Sequence, residues 1–166
     1  MYNLFVFGTL KRGYPLHAHL RGAIFKGAWR TVERLPLVVA GPRFAPMLFY
    51  EPGTGYRILG ELYVVGADDL KHLDEIESVG VVGNFREQVE IENGVNAVTA
   101  QAYFKSRHLA SSVHTGYLRS YEDRRFIVHA SRRMRKSKTP TFASLTACWM
   151  IWTKYREPKT APKVGN

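Results

Sequence analysis

The sequence predicts an α+β fold, a mixed, barrel-like β-sheet with a few flanking helices. Three observations lead there. Short apolar runs bounded by Gly and Pro recur through residues 1 to 105, one amphipathic helix interrupts them, and an Asn93-Gly94 pair joins two extended runs.

Leu4-Phe5-Val6-Phe7 is an apolar run ended by Gly8, which reads as a buried strand entering a turn. Lys11 to Pro15 is loop-like, and His17 to Leu20 is expected to form a short helical turn before Gly22. Leu37 to Ala40, closed by Gly41-Pro42, and Met47 to Tyr50, closed by Glu51-Pro52-Gly53-Thr54-Gly55, read as two strands. Ile58 to Val65 resumes the extended pattern and is expected to pair with the preceding strand across that turn. Gly60 within it marks a bulge or a close approach to the backbone. Asp68 is positioned to cap a helix whose apolar residues Leu70, Leu73 and Ile76 recur every three positions. Val89 to Ile91 and Val95 to Phe104 flank Glu92-Asn93-Gly94, a strong hairpin signal.

The chain has 166 residues, enough for one domain and an extension. Its 45% hydrophobic and 23% charged residues are those of a globular protein. No apolar run approaches the roughly 20 residues that span a bilayer, so no membrane partner and a cytoplasmic location are expected. The formal charge of +10 suggests a nucleic-acid partner until it is located along the chain. Residues 119–166 hold twelve of the 24 Lys and Arg against Glu122, Asp123 and Glu157, whereas residues 1–118 balance twelve bases with eleven acids. Residues 1–118 are therefore the expected domain, and 119–166 a basic, poorly ordered extension with one apolar island from Phe142 to Trp152. Cys148, the single cysteine, excludes an internal disulfide.

Leu70, Leu73 and Glu77 stand at i, i+3 and i+7, which puts Glu77 on the apolar face of the helix. A carboxylate aimed inward there is a candidate general base. Spacing alone also allows, and favours, a Glu77 that closes the helix at the surface or pairs with Arg86, and it assigns Asp74 and Glu75 to a solvated face. Gly8-Thr9-Leu10, at a strand exit, can turn successive backbone N–H groups toward one point, an arrangement suited to a carboxylate or an oxyanion. His17 and His19 are spaced for a strand face, and no metal site is expected from the six histidines. No P-loop or dinucleotide fingerprint is present.

Phe5-Val6-Phe7-Gly8-Thr9-Leu10-Lys11-Arg12-Gly13 resembles the opening of the γ-glutamyl cyclotransferase-like family, which carries an aromatic-Gly-Ser/Thr-Leu loop after its first strand. Leu37 to Gly41, the Pro52 to Gly55 turn, Gly60-Glu61-Leu62-Tyr63 and Leu73-Asp74-Glu75-Ile76-Glu77-Ser78 fall in the family's order and at about its spacing. The likeness extends from residue 2 to about residue 105. It implies the family's fold and an intramolecular aminolysis without a cofactor: a γ-glutamyl amine, in the amine-specific branch γ-glutamyl-ε-lysine, yields 5-oxoproline and free amine. It makes Glu77 the catalytic base and Phe7, Gly8, Thr9 and Leu10 the substrate-binding loop. The sequence departs from the family at Phe7, where Tyr is usual, and at Lys105, where an aromatic residue is common.

The expected partner is a small γ-glutamyl molecule, with the chain a monomer that does not bind nucleic acid. Three alternatives stay open. One is cyclisation of γ-glutamyl α-amino acids, another is a family member that binds 5-oxoproline-like ligands without turnover, and the third is a non-catalytic module whose basic tail, with Trp149, Trp152 and Tyr155, grips nucleic acid.

Overall fold

The computed structural model describes residues 1–130, and these form seven strands and one α-helix with two 3-10 turns. The described residues lie within the first of two compact units, Met1–Met134. The part of the expected extension from residue 131 on, with its apolar island and Cys148, falls outside them.

Five strands close a barrel in the order β1 (Tyr2–Val6), β5 (Tyr56–Val65), β2 (Ile24–Leu35), β6 (Asn84–Glu92) and β7 (Ala97–Lys105). Closure comes from parallel pairing of β7 with β1 at Leu4 and Gln101, while the other contacts are antiparallel, so the sheet is mixed. β1 is buried on both faces, which is why it reads as an unbroken apolar run. Phe5 points into the barrel with Trp29, Ile58, Leu62, Ile91 and Phe104, whereas Leu4 and Val6 face the helix side.

β3 (Leu37–Ala40) and β4 (Ala45–Leu48) form a separate two-stranded sheet. Leu37, Val39 and Leu48 pack onto the barrel core. The expected pairing of the Ile58 to Val65 run with the strand before it is thus corrected: β4 pairs with β3, and β5 pairs with β1 and β2. β2 is an element that the sequence reading did not foresee, and β4 starts two residues earlier and ends two residues earlier than expected. The hairpin at Asn93 is as expected, with the Asn93 Oδ1 accepting from the Val95 and Asn96 N–H groups at 3.0 and 2.8 Å.

Helix α1 (Ala67–Ile76) buries Leu70, Leu73 and Ile76 against Leu4, Val6, Val65 and Tyr103. Each such side chain contributes about 1.5–3 kcal/mol of burial free energy. Its N-cap is Gly66 rather than Asp68, and Asp68 and Asp69 lie in the first turn, where they favour the positive end of the helix dipole. No helix among the described residues is long and apolar enough to cross a membrane.

Gly60 is the close approach that its position suggested. A Cβ there would lie 2.5 Å from the Val6 carbonyl oxygen and 2.6 Å from the Phe5 ring. Neither the β1 backbone nor a wholly buried ring can retreat, so Gly60→Ala is expected to destabilise by roughly 3 kcal/mol, the upper end for overpacking. Urea unfolding of the variant beside wild type measures it.

The fold also takes in residues beyond 118. Tyr121 is wholly buried in the barrel cluster, and Phe126 and Val128 pack against the cluster beneath α1. The expected domain boundary at 118 therefore falls short of the last chain segment that packs on the barrel.

Candidate active site

β1 ends at Val6, and the Phe7, Gly8, Thr9 and Leu10 that follow it are all buried. Lys11 N–H donates to the Gly8 carbonyl at 3.1 Å, closing the turn, and Leu16 N–H donates to the Thr9 carbonyl at 3.0 Å. Pro46 of β4 presses on this turn: a Cβ at Gly8 would meet the Pro46 Cγ at 2.8 Å. Gly8 is required by that approach, since a side chain would push β4 away from the loop.

Glu77 is the residue that caps the C-terminus of α1. The helix ends in a Schellman motif: Ser78 N–H donates to the Glu75 carbonyl at 3.1 Å and Val79 N–H to the Asp74 carbonyl at 2.9 Å. Ser78 occupies the left-handed region at φ 60°, where glycine is usual, so the chain holds a mildly strained conformation one residue past Glu77. That turn ends the helix at the cavity rather than letting it run on. Ile76 completes the buried stripe, and Glu77 is half-buried.

Glu77 and the Phe7 to Leu10 loop line one cleft. Its floor is Phe5 and Val6, and its walls come from Ala45, Pro46 and Leu48, from Tyr103 and Lys105 of β7, and from Phe126. The empty volume, counting the solvent at its mouth, is about 550 Å³. All five residues singled out in the sequence are thus brought together. Tyr103, Pro46 and Phe126 are lining residues that the sequence reading missed; the aromatic residues left over around the last strand and past residue 118 were the only signal.

Asp74 corrects the expectation of a solvated face. Arg86 of β6 grips it in a two-pronged ion pair, with Nε to Oδ1 at 2.9 Å and Nη2 to Oδ2 at 3.2 Å. Arg86 Nη1 also donates to Gln101 Oε1 at 2.8 Å, and Tyr103 O–H donates to Asp74 Oδ1 at 2.9 Å. Arg86 therefore pairs with Asp74 and not with Glu77. The Tyr103 hydroxyl is pushed far above its ordinary value, first by burial, then by the Asp74 charge and hydrogen bond and by the Glu77 charge. It stays a neutral donor at every working pH. This network pins the helix that ends at Glu77 to two barrel strands.

Asp74→Asn keeps the shape but discharges the partner of Arg86. Asp74 and Arg86 side chains are only 24% and 25% exposed, so the loss is expected to be about 2 kcal/mol, as for a hydrogen bond to a charged group. Equilibrium unfolding in urea measures it, and unchanged stability would mean that the pair does not hold the helix.

The histidines diverge. His17 bonds the Leu10 carbonyl through Nδ1 at 3.1 Å, whereas His19 Nδ1 meets His72 Nε2 of α1 at 3.2 Å. Among the described residues no cluster of three or more His, Cys, Asp or Glu is arranged for a metal.

Comparison with known proteins adds relatives to this geometry. The family described as Gamma-glutamyl cyclotransferase, AIG2-like, matches residues 4–125. The chain is 37% identical to Gamma-glutamylaminecyclotransferase of Bos taurus over 126 residues, which are 72% of this chain and 74% of the relative. It is 46% identical to the protein of that name in Mus musculus over 82 residues, 46% of this chain and about half (55%) of the relative's length. A crystal structure of an AIG2-like protein from Mus musculus superposes with a TM-score of 0.67 at 29% identity, covering 84% of this chain and 98% of that one.

Proposed function

The chain belongs to the γ-glutamyl cyclotransferase, AIG2-like family, and from that premise we propose that it is a γ-glutamylamine cyclotransferase acting on conjugates such as γ-glutamyl-ε-lysine. The observation that carries the reading is the shared cleft of Glu77 and the Phe7 to Leu10 loop. The mouse and bovine relatives bear the name of this activity.

In this reading Glu77 takes a proton from the substrate's α-amino group. The freed nitrogen attacks the γ-carbonyl carbon, and the carbonyl oxygen becomes an oxyanion. Backbone N–H groups of the Phe7 to Leu10 turn stabilise that oxyanion, since their direction is set before substrate arrives. As the tetrahedral centre collapses, the bond to the leaving amine breaks and protonated Glu77 returns its proton to that nitrogen. The products are 5-oxoproline and the free amine. Apolar walls from Leu10, Leu48 and Phe126 favour a folded substrate whose amine and carbonyl are already adjacent, and such proximity lowers the barrier by removing the entropy of approach.

Phe7 lacks a hydroxyl, which the mechanism does not require: the ring is buried and packs 6.4 Å from the Phe5 ring. The contribution of residue 7 in this account is its backbone.

The leaving group is tested by comparing γ-glutamyl-ε-lysine with a γ-glutamyl α-amino acid and quantifying 5-oxoproline. The lysine conjugate is expected to have a kcat/KM at least about tenfold higher, a margin a side-chain pocket can supply. The reverse preference would move the protein to the γ-glutamylcyclotransferase class with the same chemistry.

A further inference from the structure

We propose that Lys105 recognises the α-carboxylate of the γ-glutamyl group, and so is a specificity-determining residue of this chain. The inference rests on the cyclisation reading above and names a substrate contact that this reading leaves open.

Glu77 and Lys105 are the only side chains of opposite formal charge among the described residues lining the cleft, whose other walls are apolar side chains, backbone, Thr9 and the neutral Tyr103 hydroxyl. The α-carbon of a γ-glutamyl group carries an ammonium and a carboxylate side by side. A cleft that offers one carboxylate and one ammonium among apolar walls is complementary to that pair. Glu77 must face the α-nitrogen, because it takes the proton there. The α-carboxylate, one bond further from that nitrogen, is then left to a partner, and a carboxylate brought among apolar walls without one would be strongly disfavoured. Lys105 is the cation at hand.

Its position is built rather than incidental. Lys105 is the last residue of β7 and stands directly opposite Asn84 at the start of β6, and its Nζ donates to Asn84 Oδ1 at 2.6 Å. Lys105 is at the same time a lining residue of the cleft. Two residues earlier on the same face of β7, Tyr103 contributes to that wall and to the network holding α1. Assigning the α-carboxylate to Lys105 also divides the labour, since the N–H groups of the Phe7 to Leu10 turn are then committed to the oxyanion.

The test compares wild type, Lys105→Met and Lys105→Arg on two amides of n-butylamine, a leaving group without charge of its own. One is γ-glutamyl-n-butylamide; the other is 4-aminobutanoyl-n-butylamide, which lacks only the α-carboxylate and closes to 2-pyrrolidinone. For the first, Lys105→Met is expected to lower kcat/KM about ten- to hundredfold, mainly through KM, as for loss of a charge-assisted hydrogen bond. For the second it should change kcat/KM less than about twofold, and Lys105→Arg should recover most of the loss on the first. Equal losses on both amides, or none on either, would overturn the assignment. A second readout does not depend on turnover: calorimetric Kd for 5-oxoproline should rise at least about tenfold in Lys105→Met, with the Kd for 2-pyrrolidinone unchanged. An unchanged Kd for 5-oxoproline, or no binding of it by wild type, overturns the role of Lys105. Absence of turnover alone would sink only the cyclisation reading.

Discussion

Glu77→Gln is expected to lower the rate of 5-oxoproline formation by about 10²- to 10⁴-fold, the usual contribution of a positioned general base. The amide has the shape of the acid but cannot accept the proton of the α-amino group, and it has none to return to the departing amine. Both chemical steps lose their proton carrier in one substitution. The fold should not notice. Glu77 is tied into the helix end by its backbone, whose N–H donates to the Leu73 carbonyl at 2.8 Å, and that bond survives the change. The ion pair that fixes α1 belongs to Asp74 and Arg86, so stability should stay within about 0.5 kcal/mol of wild type. A rate loss with unaltered unfolding and unaltered 5-oxoproline affinity separates a chemical role from a structural one. A variant that retains wild-type turnover would remove Glu77 from the mechanism.

Tyr121→Ala is expected to cost about 3–5 kcal/mol, the range for emptying a buried aromatic site. Tyr121 lies three residues past the boundary expected from the sequence, yet it is wholly buried in the barrel cluster, and its ring lies 5.4 Å from that of Tyr14. Its backbone carbonyl accepts from Lys11 Nζ at 2.8 Å and from the Tyr14 hydroxyl at 3.0 Å, so the segment is also fastened to the loop after β1. Losing the ring would loosen the strap that continues to Phe126 at the cleft wall, and activity should fall with stability. Tyr121→Phe provides the control. The hydroxyl has no hydrogen-bond partner among the described residues, and removing such a buried polar group is expected to change stability by less than about 1 kcal/mol or to raise it. Thermal or urea unfolding of both variants checks the pair; a large loss in the Phe variant would show that the hydroxyl, not the ring, carries the packing.

What the sequence made legible follows from how local each signal is. The helix was visible because Leu70, Leu73 and Ile76 repeat at helical spacing within ten residues, and the last hairpin because Asn93-Gly94 sits between extended runs. β2 was not visible. Of its twelve residues only Trp29, Thr31 and Leu35 are buried, and irregular register with β5 between Phe25 and Ala28 and between Arg30 and Arg34 breaks the alternation that marks a strand. The partner of β5 was misassigned for a different reason. A turn at Pro52 to Gly55 suggests a hairpin, but closing the barrel places β5 between β1, about sixty residues away at Tyr2↔Val65, and β2.

The site divides along the same line. Glu77 and the Phe7 to Leu10 loop could be named from a helical face and a strand exit, and from the resemblance they carry. Asp74 could not be read, because the groups that engage it, Arg86 and Tyr103, are 12 and 29 residues distant. Tyr121 and Phe126 were hidden by Arg124-Arg125, whose charge suggested a solvated extension. Arg124 in fact lies over the Tyr14 ring and bonds the Gly13 carbonyl at 2.7 Å, and Arg125 lies over the Phe44 ring, so this stretch of the basic run is held against the fold.

The central claim is ring closure by the substrate's own amine, and product identity tests it most directly. The purified 166-residue chain is incubated with γ-glutamyl-ε-lysine, and 5-oxoproline, lysine and glutamate are quantified together. The account predicts 5-oxoproline and lysine in equal amounts, with no glutamate above the uncatalysed background. Glutamate in place of 5-oxoproline would mean attack by water rather than by the α-amino group, and a folded chain that releases neither product from this conjugate or from a γ-glutamyl α-amino acid would contradict the account altogether.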